Sequence, residues 1–192
     1  MFKKVYNYYK WRKILNELRK ISNIIFNELF SVIETSLKEF QKEIDWYWYD
    51  NVIASIKNDS IKMECFIYIV WLYMWGNNFN TKYKKIIVDE IHNIFYRKSK
   101  EQWVSSKDIE FMVNTINSSY RLYNQWEESN DSLNIFIELI VKLEWDTLEF
   151  LHYDNDDDLM RKAYLEKFAK IFLKNAKEKI HEINDIKSSF QD

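Results

Sequence analysis

The chain has 192 residues, no proline and a single glycine, Gly76. Without those turn residues, hairpin-rich barrels, β-sandwiches and glycine-loop α/β folds are excluded in favour of an all-α chain. A formal net charge of −2 creates no global field towards nucleic acid or anionic membrane, and 18% aromatic residues exceed the usual share of a soluble domain.

The charge is unevenly spread. Residues 1–20 carry Lys3, Lys4, Lys10, Arg12, Lys13, Arg19 and Lys20 against Glu17 alone, a net +6 that leaves −8 on the remainder. This start has no uninterrupted apolar run and no small-residue cleavage site, so it does not read as a secretory signal. Apolar residues then recur every three or four positions at Trp11, Ile14, Leu18, Ile21, Ile25, Leu29, Val32, Phe40 and Ile44, the stripe of an amphipathic helix. Ser31 with Glu34 and Ser36 with Glu39 have capping-box spacing, so either one long helix or two collinear ones fit.

A helical stretch through Trp46, Tyr49, Ile53 and Ile56 runs into Asn58-Asp59-Ser60, three residues suited to a turn and an N-cap. The next helix covers about Ile61 to Trp75. It is apolar all round, which places it at the centre of a bundle, with a β-branched and aromatic strand as the competing reading. Gly76-Asn77-Asn78 ends it. Its longest apolar run is Cys65 to Trp75, short of the ~20 residues a bilayer-spanning helix needs. Cys65 is the sole cysteine, which rules out an intrachain disulfide and fits a reducing, cytoplasmic address.

Further stripes follow: Tyr83, Ile87, Ile91 and Ile94 from a start near Thr81; Ile109, Met112, Ile116, Tyr120 and Tyr123 after Ser105 or Ser106. Phe136, Ile140, Leu143, Leu148 and Leu151 come after Asn130-Asp131, and Phe168, Ile171, Phe172, Ile180 and Ile183 after the acidic cluster at 154–158. No linker or repeat interrupts them. The expectation is one domain over 1–192, an antiparallel bundle of about six to eight helices around the segment 61–75.

Conventional catalytic apparatus is sparse. His92, His152 and His181 are scattered without the i, i+4 spacing of a helical zinc site, and no phosphate-binding glycine loop or nucleophile elbow occurs. Asp154, Asp156 and Asp158 alternate like calcium-loop ligands. Leu159 and Leu165, however, stand where that loop requires Gly and Glu, so the cluster reads as the acidic start of a helix.

Asp146 and Glu149, three apart on a helix, present two carboxylates on one face, and Glu182 with Asp185 repeats the spacing. Paired acidic helices of this kind resemble the all-α nucleotide pyrophosphohydrolases, the MazG-like and dimeric dUTPase group. That resemblance implies magnesium held by Asp146, Glu149, Glu182 and Asp185 against a phosphate chain. It covers only these few residues, and the first pair opens with Asp where the family has Glu. The same residues also form an ordinary solvated stripe, with Glu138, Lys142 and Asp146 at favourable i, i+4 intervals.

Two surface features remain. In the N-terminal segment, Lys10, Arg12 and Lys13 interleave with Tyr6, Tyr8, Tyr9 and Trp11, joining phosphate-seeking charge to rings that can stack on bases. The competing reading packs this basic helix on the acidic remainder of the molecule. In Asp45-Trp46-Tyr47-Trp48-Tyr49-Asp50, four successive aromatics cannot all face one core. Asp45, Tyr47, Trp48 and Asp50 therefore have the make-up of a contact patch for a basic protein.

The leading expectation is a non-catalytic protein-binding module, an inhibitor or immunity-type protein that masks a basic surface of its partner. Magnesium-dependent nucleotide hydrolysis and nucleic-acid binding through the N-terminal helix are the alternatives. No cofactor is called for, and self-association stays open.

Overall fold

A computed structural model describes residues 2–44, 59–75, 81–101, 106–126, 132–148 and 158–188. They form α1 (Phe2–Glu43), α2 (Asp59–Trp75), α3 (Thr81–Glu101), α4 (Ser106–Trp126), α5 (Ser132–Leu148) and α6 (Asp158–Ser188). Among the described residues there is no strand, and no helix is long and apolar enough to cross a membrane. The stretch 45–58, with Trp46, Tyr49, Ile53 and Ile56, lies outside them, as do Gly76 and Leu151.

The first stripe resolves into one helix of 42 residues, about 63 Å long. The serines that offered a break serve other purposes. Ser31 Oγ donates to the Glu28 carbonyl at 2.7 Å, folding back on its own helix, while buried Ser36 accepts from Asn175 Nδ2 of α6 at 3.1 Å. Neither hydroxyl is left to cap a new helix.

α2 is the axis of the bundle and touches each of the other described helices. Cys65, Phe66, Ile67, Tyr68, Ile69 and Val70 are all fully buried, so every face of the helix is covered. The strand reading fails here for a physical reason: a lone strand ringed by helices would bury a row of unpaired N–H and C=O groups, which a helix satisfies internally.

Ring contacts tie the layers together. Tyr68 stacks on Phe136 of α5 at 4.4 Å, Phe136 meets Phe172 of α6 at 5.5 Å, and Phe168 meets Phe40 of α1 edge-on at 5.7 Å. On the other flank Phe66 lies between Phe26 of α1 and Phe95 of α3, at 5.6 and 4.5 Å. Each such pair adds about 1 kcal/mol to the burial of its rings.

Helix directions follow from the contacts. As the α1 partner falls from Glu43 to Ser36 to Glu28, the α6 partner rises from Lys167 to Asn175 to Lys179, so these two run antiparallel. α1 and α3 run parallel: Ile14 and Leu18 share a hollow with Tyr83, Arg19 approaches Glu90 at 3.9 Å, and Lys98 sits over the Phe26 ring at 4.9 Å.

Candidate functional site

α3 turns three faces to three neighbours. Tyr83 and Glu90 meet α1, and Ile87, Ile91 and Ile94 enter the core. The third face, Lys84, Lys85, Val88, Asp89, His92, Asn93 and Tyr96, forms one wall of a cleft of about 590 Å³. Ile116, Asn117 and Tyr120 of α4 form the opposite wall, and Met74 of α2 closes it. A space of this size suits a small organic ligand.

At the centre of the cleft, His92 Nε2 and the Tyr120 hydroxyl are 2.8 Å apart. The other side of the imidazole bonds the Val88 backbone, one helical turn back, a contact that favours a ring N–H facing the carbonyl. Nε2 is then the acceptor and Tyr120 the donor. The pKa values agree with this polarity. Burial pushes His92 below its ordinary value, with Asp89 and the Val88 backbone opposing, so the ring is neutral. Burial pushes the Tyr120 phenol far up, reinforced by Tyr96 and Glu64, so it keeps its proton. Burial also lowers Lys84 and raises Tyr96.

Behind this wall lies a second polar group. Glu64 of α2 is only 2% exposed, inside the most apolar of the described helices. Ser119 Oγ donates to its Oε2 at 3.0 Å and the Tyr123 hydroxyl donates to its Oε1. Burial raises the Glu64 pKa, the two hydrogen bonds working against the rise. Cys65, next along, is fully buried and its thiol is pushed well up by burial and by Glu64, which makes it inert. Ser119, Tyr120 and Tyr123 thus make α4 polar towards both the cleft and α2.

The described residues among those singled out in the sequence lie elsewhere. Lys10, Arg12 and Lys13 are exposed on α1. Lys13 edges the hollow with Ile14, Glu17, Leu18 and Tyr83, about 270 Å³ in volume. Glu182 is exposed and pairs with Lys179 at 2.7 Å, and Lys179 also reaches Glu28 at 3.2 Å. Asp146 and Asp185 fall within α5 and α6, but their side chains lie outside the described residues, as do all of Glu149, Asp45, Tyr47, Trp48 and Asp50.

α5 and α6 are antiparallel, since from the Phe136–Phe172 contact a parallel pair would demand a longer connection than residues 149–157 can span. Helical rise then separates Asp146 from Glu182 by about 30 Å along the hairpin. Among the described residues, no three His, Cys, Asp or Glu side chains gather as a metal site.

Neither Glu64 nor the cleft is marked as a site by the pattern of the sequence. A lone acid in the run Met63 to Trp75 is a legible sign of a buried carboxyl that needs donors. Its donors stand 55 and 59 residues away, and no local pattern marks them. His92 was visible only as an isolated histidine, because Tyr120 joins it through tertiary packing. Compared with protein-family models, curated proteins and solved structures, the chain matches none.

Proposed function

We propose that the protein is a helical binding protein whose site is the α3–α4 cleft, and that its ligand is a small anion with a flat, apolar body. The observation that carries this reading is the convergence of Lys84, Lys85, His92, Tyr96 and Tyr120 on one space of about 590 Å³. The two lysines outweigh Asp89 on the same wall, Asn93 and Asn117 supply amide donors and acceptors, and Val88, Ile116, Tyr96 and Tyr120 supply apolar walls. Binding is favoured over catalysis because the Nε2 lone pair of His92 is already taken by Tyr120.

The test is titration with 1-anilinonaphthalene-8-sulfonate, an aromatic anion, followed by fluorescence. Saturable binding at one site, weakened about tenfold by Lys84→Gln with Lys85→Gln, is expected, with near-UV dichroism showing that the fold persists. Binding that ignores both substitutions overturns the reading.

A second reading, protein recognition, has its own observation. Phe111 is 67% exposed and Leu122 37%, and the two stand three turns apart on one face of α4. In this reading the protein masks a basic partner, with Asp45, Tyr47, Trp48 and Asp50 as contacts inferred from sequence. Trp48→Ala then abolishes partner capture without unfolding the chain.

A further inference from the structure

We propose that the end of the bundle where α1 outruns α6 binds single-stranded nucleic acid, with phosphates held by Lys10, Arg12 and Lys13 of α1 and by Lys84 and Lys85 of α3. The α3 lysines stand more than seventy positions along the chain from the basic start of α1. Parallel packing of α1 on α3 brings the two groups to one end, since Ile14 and Leu18 share a hollow with Tyr83, next to Lys84. Two basic segments thereby lie at one end of the bundle, Lys13 beside the hollow and Lys84 and Lys85 on the adjoining cleft face of α3.

The described carboxylates beside these cations are Glu17, which borders the hollow with Lys13, and Asp89, on the cleft wall with Lys84 and Lys85, and the five cations outnumber them. From the Lys179–Glu28 pair, the antiparallel course of α6 brings its last described residues level with about residue 20 of α1. Earlier residues of α1 have no described part of α6 beside them. The ion pairs follow the same boundary. Arg19 approaches Glu90 at 3.9 Å and Lys20 pairs with Glu17 at 3.0 Å, whereas Lys10, Arg12 and Lys13 are exposed and pair with no described carboxylate. Among the described residues, the first ion pair from this segment to an acid elsewhere in the chain is that of Arg19 with Glu90.

The same packing selects the partner. An in-plane membrane helix needs its apolar face for lipid, but α1 turns Ile14, Leu18, Ile21 and Ile25 to the bundle. Between residues 10 and 20 its exposed side chains are Lys10, Arg12, Lys13, Asn16, Glu17, Arg19 and Lys20, mostly cationic, which suits phosphates. Tyrosines at 6, 8 and 9 are interleaved in sequence with the cations, a composition that favours unpaired bases able to stack over a closed duplex.

The experiment is fluorescence anisotropy of labelled oligothymidylate, about 16 nucleotides long, over a range of salt. Neutralising five phosphates gives a log–log slope near −3.5. Lys10→Gln with Arg12→Gln and Lys13→Gln makes the slope shallower by about 2, and Lys84→Gln with Lys85→Gln by about 1.4. The α1 variant also weakens affinity at least tenfold. Absence of salt-sensitive binding, equal affinity of the α1 variant, or binding to phosphatidylserine vesicles but not to the oligonucleotide overturns the proposal. The α1 variant leaves the cleft intact, so failure here and failure of the cleft reading are read separately.

Discussion

The Tyr120 hydroxyl and Nε2 of His92 stand 2.8 Å apart, with Tyr120 the donor in the tautomer that the Val88 contact favours, and join α3 to α4 across the cleft. In this polarity the bond requires a neutral imidazole, and protonation would reverse donor and acceptor, so it ties the cleft to pH. Burial holds the His92 pKa below 6.5 in the folded protein. The unfolded chain therefore takes up the proton first, and stability falls as pH drops from 6.5 through the folded pKa. Tyr120→Phe removes a donor that favours the neutral ring, and His92 then titrates closer to 6.5. Proton NMR of the His92 ring shows this directly, and an unmoved titration contradicts the assigned donor and acceptor.

Glu64 has the opposite sign. Its folded pKa is raised above 4.5 by burial, so the folded state holds the proton more tightly than the unfolded chain. Its contribution is complete below 4.5 and is lost as pH rises through the folded pKa. Glu64→Gln removes this decline while an amide can still pair with Ser119 and Tyr123. Glu64→Ala strands both hydroxyls and costs about 2–4 kcal/mol. Urea denaturation across pH separates the two variants: the Gln chain has the flatter profile, the Ala chain a lower midpoint throughout.

Much of this architecture is written in local periodicity. Ile87, Ile91 and Ile94 recur on one stripe and are all buried, and the all-round apolar character of α2 places it centrally. The α1 question could not be answered locally, because Ser36 finds its partner in Asn175, 139 residues on. The cleft is hidden for the same reason. Periodicity says which face of α3 is apolar, but not that Tyr120 lies across from His92, nor that Lys84 comes level with the basic start of α1. Those relations depend on how whole helices are set beside one another, and here that setting also assembles the proposed sites.

The acidic pairs yield a sharp outcome. Lys179 and Glu182 form an i, i+3 pair on an exposed surface, where such contacts are worth about 0.5 kcal/mol or less. With Asp146 about 30 Å away along the hairpin, Asp146 and Glu182 of one chain are too far apart to share a divalent ion. Millimolar magnesium is expected to leave Tm unchanged, and Glu182→Gln to move it by no more than about 2 °C. A rise of several degrees with magnesium, lost in Glu182→Gln, restores the pyrophosphohydrolase-like reading.

Phe136 and Phe111 provide a paired test of the packing itself. Phe136 is fully buried, stacked on Tyr68 at 4.4 Å and touching Phe172 at 5.5 Å, so it joins α2 to α6 through α5. Phe136→Ala opens a cavity at the junction of three helices and costs about 3–5 kcal/mol, a large part of the stability of a domain this size. Phe111, 67% exposed, contributes little to folding, and Phe111→Ala is expected within about 0.5 kcal/mol of the parent. Chemical denaturation distinguishes the two: the midpoint falls sharply at constant slope for Phe136→Ala and barely moves for Phe111→Ala. Equal losses at both positions would mean that α4 buries its outer face against a second molecule in solution.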